Sequence, residues 1–297
     1  MKLGYIGLGA LGRLLAQRLM TTYELRVLDI DSVALAHLES LGGIPEKNAA
    51  SMARNCDVIM LCVPRSSDVR EIIFGVNGLI EGLSAGKIII DQTTGDPRQT
   101  RDMSSALEKI GVAMVDAPVS GLSKVMSGAS LIMVGASAST YKKVQPVLTA
   151  LSSNVVHCGD VGSGLVLKII NNTISTVIRL ATLECVAMGL RNGLDLSVMA
   201  GALNKGGARS VTTEVQLPAL VRGEQASNFA LQLMLKDLNL STQLAIDSGA
   251  PMLYGHLTRC ILQSALFELG PQANIDEIAH ILAAQAGVSF PRRTSAD

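Results

Sequence analysis

The chain has 297 residues, 25 basic and 25 acidic, with 48% hydrophobic and 17% charged side chains. Zero net charge, no basic run, no Trp and only four Phe and four Tyr argue against a nucleic-acid partner. Five Cys without C-x-x-C spacing, and four His with no ligand pattern around them, argue against a structural metal and fit a reducing, cytoplasmic setting.

Lys2–Ile6 is a short apolar strand that runs directly into GLGALG, without the basic start and apolar stretch of a signal peptide. Leu11, Leu14, Leu15 and Leu19 then recur at helical spacing. Gly7, Gly9 and Gly12 therefore stand between a strand and a helix, the context in which G-x-G-x-x-G binds a dinucleotide. The first Gly permits the tight turn, the second lets backbone approach a pyrophosphate, and the third lets helix and strand pack closely. The pyrophosphate would sit on the free N–H groups of the helix N-terminus. Taken alone, the motif also fits a glycine turn with a purely structural role.

The second strand, Leu25–Leu28, ends in Asp29, 17 residues after Gly12. An acid there accepts hydrogen bonds from ribose hydroxyls and repels a 2′-phosphate, which favours NAD over NADP. Asp31 competes for that role, but Asp31-Ser32 reads as the N-cap of the next helix. Arg13 and Arg26 are the cations that would have to hold a 2′-phosphate; one opens the first helix and the other lies inside the strand.

The alternation continues with a helix over 32–41, a strand at 43–44, a helix over 48–54, and a buried strand over 57–62 ending at Val63-Pro64. Further strands are expected at 88–90, leading to Thr94, at 112–115, leading to Ser120-Gly121, and at 130–134 and 154–157. Helices start at Pro97 and span 140–151. This pattern predicts an α/β fold, a doubly wound, mostly parallel sheet of Rossmann type, with ligands beyond the carboxyl ends of the strands. After Gly159 no strand pattern appears. One long helix spans 162–192, and others are expected near 195–204, 211–221, 229–247, 251–269 and 274–286. The last ten residues read as a loose tail. Three parts result: a dinucleotide-binding domain over 1–161, an interdomain helix over 162–192, and an all-helical domain over 193–297 for substrate and self-association.

The long helix opens with GSGLVLKIINN. Lys168 and Asn172 lie one turn apart on one face, with Asn171 close by, among Val166, Leu167, Ile169 and Ile170. Burying the ammonium would push its pKa towards neutrality, which suits a proton donor and acceptor. The competing reading is a lysine that snorkels from a core helix and an Asn that pairs with a neighbouring helix. Leu165–Leu190 is interrupted by Lys168, Asn171, Asn172, Arg179 and Glu184, so it is expected to be buried in protein and too polar to span a bilayer.

Five motifs in order, GLGALG, DQTTGDP at 91–97, DAPVSG at 116–121, G-x-x-x-K-x-x-N-N at 164–172 and F-x-L-x-L-x-x-K-D-L at 229–238, give a chain that resembles the β-hydroxyacid dehydrogenases over essentially its whole length. The resemblance implies hydride transfer between NAD(H), with NADP(H) as the second choice, and a small 3-hydroxy acid or semialdehyde. It implies Lys168 as catalytic acid/base and Ser120, Gly121, Leu122 and Asn172 as substrate-binding residues. Gly7, Gly9, Ala10, Leu11, Gly12, Asp29, Val63, Pro64, Thr94 and Lys236 would hold the cofactor, with Asp237 anchoring the helix of Lys236. No metal is implied, and a homodimer or homotetramer is. Leu122, Lys124, Gln92-Thr93 and Leu11 depart from the family pattern, which predicts a substrate other than plain 3-hydroxyisobutyrate or tartronate semialdehyde. The alternatives are an NADPH-dependent imine reductase, which Lys168 with Asn172 argues against, and a non-catalytic NAD-binding protein.

Overall fold

The structure, a computed structural model, describes residues 1–227 and 229–292. By internal packing the chain divides into two units, Met1–Lys168 and Ile169 onward.

In the first unit, strands β1 (Leu3–Ile6), β2 (Leu25–Leu28), β3 (Ile44–Pro45), β4 (Val58–Leu61), β5 (Ile88–Asp91) and β6 (Ala113–Asp116) form a parallel sheet in the order β3-β2-β1-β4-β5-β6. The connecting helices are α1 (Ala10–Met20), α2 (Ser32–Ser40), α3 (Ala49–Asn55), α4 (Ser66–Phe74) and α5 (Pro97–Glu108). Strands buried on both faces explain why Val58–Leu61 and the three isoleucines of β5 read as continuous apolar runs. On one face Leu3, Tyr5, Met60 and Ile90 pack with Leu15 and Leu19 of α1. On the other, Ile59, Leu61 and Ile89 pack with Met52, Val69 and Met103. Burying each such aliphatic side chain stabilises the fold by about 1.5–3 kcal/mol. Gly4 suits this packing, because a Cβ there would fall 2.3 Å from the Met52 sulfur, which would have to move.

The far edge supplies the antiparallel part of the mostly parallel sheet expected from the sequence. Strands β7 (Val119–Ser120) and β8 (Leu131–Gly135) pair antiparallel, β8 meets β6 antiparallel, and β9 (Asn154–Gly159) pairs parallel with β8. Helix α6 (Ala138–Leu151) joins β8 to β9. Helix α4 was not read from the sequence, although Val69 and Ile73 give it a buried apolar face.

Helix α7 (Ser163–Arg191) runs through the division between the units. The second unit continues with α8 (Leu196–Leu203), α9 (Leu217–Val221), α10 (Leu231–Ser248), α11 (Leu253–Leu269) and α12 (Ile278–Gln285) around a core of Leu183, Val186, Leu217, Leu235, Leu238, Leu262 and Ile278. Two local expectations change here. The helix expected over 211–221 is a π turn at Thr212–Gln216 followed by α9, where Pro218 has no N–H to continue the α ladder. One antiparallel bridge, Ala230 to Asn274, also stands in the helical half. Within the ten residues expected to form a loose tail, Phe290 is instead buried in the helical core; residues 293–297 of that expectation lie outside the described residues. By length and apolar content α7 is a match for a membrane-crossing helix, contrary to expectation, but Asn172, Thr173 and Thr176 on it are buried and hydrogen-bonded to protein.

Candidate active site

The three glycines of the first turn have three different physical reasons. Gly7 has φ +96°, and a Cβ there would fall 2.3 Å from the Cys62 carbonyl oxygen. A Cβ at Gly12 would fall 1.9 Å from the Gly7 carbonyl oxygen, so only Gly lets α1 approach the turn. At Gly9 a Cβ would meet no protein atom within 4 Å, so packing does not require glycine there. Gly9 is the N-cap of α1, and no side chain caps that helix. Gly9 and Ala10 are exposed and Leu11 half-buried, leaving backbone N–H groups open to an anion at the positive end of the helix.

Asp29 lies below this turn at the end of β2. Its carboxylate accepts the Leu8 N–H and, at 2.7 Å, the Asp31 N–H. Asp31 caps α2 through the N–H groups of Val33 and Ala34, as its position in the sequence predicts. Arg26 is engaged elsewhere: its Nη1 lies 2.6 Å from Glu46 Oε1. Burial pushes the Glu46 carboxyl up, but hydrogen bonds from Ser51, Asn55 and Arg26 bring it below its ordinary value. Arg13 is exposed in the first turn of α1.

Val63 and Thr94 are half-buried and Pro64 exposed after β4 and β5. The Val63 N–H donates to Thr93 Oγ1 at 3.1 Å, tying the two strand ends together. The Gln92-Thr93 departure is absorbed by the core. Gln92 is 1% exposed and accepts the Tyr5 hydroxyl at 2.6 Å, so it acts in packing beneath the turn.

After β7, Gly121 takes φ +92° and a one-turn 3-10 helix, Leu122–Lys124, follows. Leu122 is half-buried. Lys124 is exposed, and its aliphatic stem passes within 3.7–3.9 Å of where a Gly121 Cβ would stand. Arg18 of α1 holds this loop, donating to the carbonyls of Leu151 at 2.7 Å and Met126 at 3.1 Å.

The first turn of α7 is fixed by a residue not singled out from the sequence. Asp116, fully buried at the end of β6, accepts the N–H of Gly162 at 2.6 Å and of Leu165 at 2.8 Å. It acts as an N-cap supplied from 46 residues away. Burial pushes its carboxyl up to about 6, and the two backbone donors counter that rise only in part. Gly135 and Gly164 make the contact possible. A Cβ at Gly135 would fall 2.3 Å from Asp116 Oδ1, and one at Gly164 2.3 Å from the Met133 carbonyl oxygen. The available signal was an acid ending a strand, followed far along the chain by a glycine opening a helix.

Lys168, one turn further on, is 8% exposed. Asn172, also 8% exposed, donates from Nδ2 to Asp237 Oδ2 at 2.7 Å and accepts from Asn171 at 3.2 Å. Thr173 bonds Ser241 at 2.7 Å. These bonds form a buried polar seam between α7 and α10. Lys236 lies 3.3 Å from Asp237 Oδ1, so the acid links the lysine to the asparagine. The sequence placed Asp237 as an anchor for α10; the structure shows the anchor point to be Asn172.

Known proteins match in the same order. Residues 2–159 match the NAD binding domain of 6-phosphogluconate dehydrogenase, and residues 162–282 the NAD-binding domain of NADP-dependent 3-hydroxyisobutyrate dehydrogenase. The mitochondrial 3-hydroxyisobutyrate dehydrogenase of Mus musculus is 33% identical over 267 residues, 87% of this chain and 80% of that one. The 3-sulfolactaldehyde reductase of Escherichia coli is 31% identical over 270 residues, 89% of each. A 3-hydroxyisobutyrate dehydrogenase structure from Mycobacterium tuberculosis, solved with L-serine, superposes with a TM-score of 0.86 at 22% identity, covering 95% of this chain and 98% of that one, a likeness of fold.

Proposed function

The chain belongs to the β-hydroxyacid dehydrogenases, NAD(P)-dependent oxidoreductases acting on CH–OH, and on that premise we propose that it passes a hydride between NAD(H) and a small 3-hydroxy acid or its semialdehyde, with Lys168 as general acid/base. The observation that carries this reading is a buried Lys168 one turn before a buried Asn172, on a helix whose first turn is held by Asp116.

The residues present fit a nicotinamide dinucleotide. The uncapped α1 N-terminus and the open Gly9 suit a pyrophosphate, and Asp29 suits a ribose. Val63, Pro64, Thr94 and Lys236 complete the set of cofactor contacts. When bound, the nicotinamide ring supplies or accepts the hydride. Lys168 moves the accompanying proton: in oxidation its neutral amine takes the hydroxyl proton, and in reduction its ammonium returns it. Ser120 and the backbone around Gly121 hold the substrate carboxylate, and Leu122 presents apolar surface beside it. Asn172 orients the substrate, its own position set by Asp237.

The preference for NAD over NADP rests on Asp29, and on the engagement of Arg26 with Glu46, which removes the nearest strand cation from a 2′-phosphate. Leu122 supports a substrate other than plain 3-hydroxyisobutyrate or tartronate semialdehyde. Self-association as a dimer or tetramer is supported by exposed apolar side chains on α7 (Ile170, Ile174, Ile178, Met188) and α11 (Leu253, Leu257, Phe267). A panel of 3-hydroxy acids and semialdehydes with NAD and NADP tests the reading. Turnover of at least one acid with NAD is expected, and cofactor binding without turnover of any member would overturn it.

A further inference from the structure

The helical unit contains a cavity of about 730 Å³ that none of the residues assigned above lines. This volume falls in the ~300–1,000 Å³ range of small-molecule sites. Its wall includes Arg179 of α7, seven residues beyond Asn172 on the same helix.

Arg179 is 9% exposed. Its Nη1 donates to Asp276 Oδ1 at 2.7 Å. Asp276 is held in turn, its Oδ2 accepting the Ser227 N–H at 2.8 Å and the Ser227 hydroxyl at 3.3 Å. The guanidinium is therefore fixed in orientation. Its remaining donors, Nε and Nη2, make no hydrogen bond to any described residue, and they form the parallel pair that receives a carboxylate edge-on. Burial pulls the Arg179 pKa below its ordinary value, and the Asp276 carboxylate partly restores it.

The rest of the wall defines the other end of a ligand. Gln216 is one of the wall residues, and its Oε1 is buried with no hydrogen-bond partner among the described residues, so it can take a donor. Glu224, paired with Arg222 at 2.8 Å, and Glu277, which accepts the Asn274 N–H at 2.8 Å, add carboxylates to the same wall, and Arg292 adds a cation. His280, on the same wall, is held below its ordinary pKa by burial and by Arg292. Leu183, Leu220 and Leu269 supply an apolar surface.

We propose that this cavity is a second ligand site that binds an aliphatic α-amino acid, its carboxylate on Arg179, its ammonium towards Gln216 and the glutamates, and its side chain on the leucines. The site stands independently of the hydroxy-acid reading, because it shares no residue with the hydride-transfer machinery.

Calorimetric titration of the full-length protein with L-leucine, 4-methylpentanoate and 3-methylbutylamine tests it. L-leucine is expected to bind saturably at about 1 mM or tighter, with each partial analogue at least about tenfold weaker. Arg179→Lys keeps the Asp276 pair and loses the fork, and is expected to weaken leucine at least about tenfold; Gln216→Ala, which leaves the ion pair intact, is expected to weaken it several-fold and carries the test if Arg179→Lys does not fold. Lys168→Ala is expected to bind leucine as the wild type does. No saturable leucine binding, an equal response to 4-methylpentanoate, full binding in a folded Arg179→Lys or in Gln216→Ala, or loss of binding in Lys168→Ala would each overturn the proposal.

Discussion

The Asp116 carboxylate accepts the Leu165 N–H at 2.8 Å, so the helix that carries Lys168 is clamped to the sheet by its own first turn. The Gly162 N–H completes the clamp at 2.6 Å. A buried acid with its carboxyl pushed up to about 6, against an ordinary 3.8, makes the clamp sensitive to pH. The folded state binds this proton more tightly than the unfolded chain, so the group contributes most to stability below pH 4. That contribution is lost as pH rises from about 4 to about 6, a change of order 3 kcal/mol. Carboxyl carbon NMR of protein labelled at Asp is expected to show one resonance titrating near pH 6 that is missing from Asp116→Asn. A midpoint below 4 would refute this account.

Replacing Asp116 by Ala should destabilise the protein by about 2–4 kcal/mol, because two buried backbone donors lose their acceptor. Urea unfolding at pH 7 measures this. Part of the loss is returned because the variant no longer buries an ionised carboxylate, so the deficit should be larger at pH 5 than at pH 7.

Two glycine variants should separate packing from ligand approach. Gly164→Ala drives a Cβ to within 2.3 Å of the Met133 carbonyl oxygen and is expected to cost about 1–3 kcal/mol of stability. Gly9→Ala meets no protein atom within 4 Å and should leave stability within about 0.5 kcal/mol of wild type. Its dinucleotide affinity should nonetheless fall at least about tenfold, since the new methyl occupies the space at the helix N-terminus. Thermal unfolding together with NADH titration gives both readouts, and equal cofactor affinity in Gly9→Ala would contradict the assignment.

Lys168→Ala should lower kcat roughly 100- to 10,000-fold, the range for losing a general acid/base, while NADH affinity changes by less than about threefold. Lys168→Arg, which keeps a cation that does not deprotonate, should be nearly as inactive. Near-normal turnover in either variant would remove Lys168 from the mechanism.

Asp29→Ser should raise the ratio of kcat/KM for NADP over NAD at least about tenfold, by removing the charge that repels a 2′-phosphate. The Leu8 and Asp31 N–H groups lose their acceptor in the same variant, so a modest fall in thermal stability is expected alongside. A wild-type enzyme that prefers NADP would contradict the role given to Asp29.

Much of this molecule was legible before its structure. GLGALG, the acid closing the second strand and the Asp31 cap act through backbone conformation and neighbours a few residues away, so spacing alone locates them. Periodicity likewise placed the long helix to within a residue or two, because α7 carries apolar side chains along its whole length. Helix α4 was not read, although Val69 and Ile73 give it a buried apolar face. Phe290 was assigned to a tail because its burial depends on helices that precede it in the chain.

The sequence by itself determined that Lys168 and Asn172 share a helical face wherever that helix lies, because the α-helix repeats every 3.6 residues. Only the tertiary structure decided what holds them. Asp116 reaches Leu165 across 49 residues and Asn172 finds Asp237 across 65. Arg26 is withdrawn by Glu46, and Gln92 turns inward to Tyr5. Each of these partners is chosen by strand order and helix packing, which bring distant polar groups together inside the protein, where burial obliges them to bond.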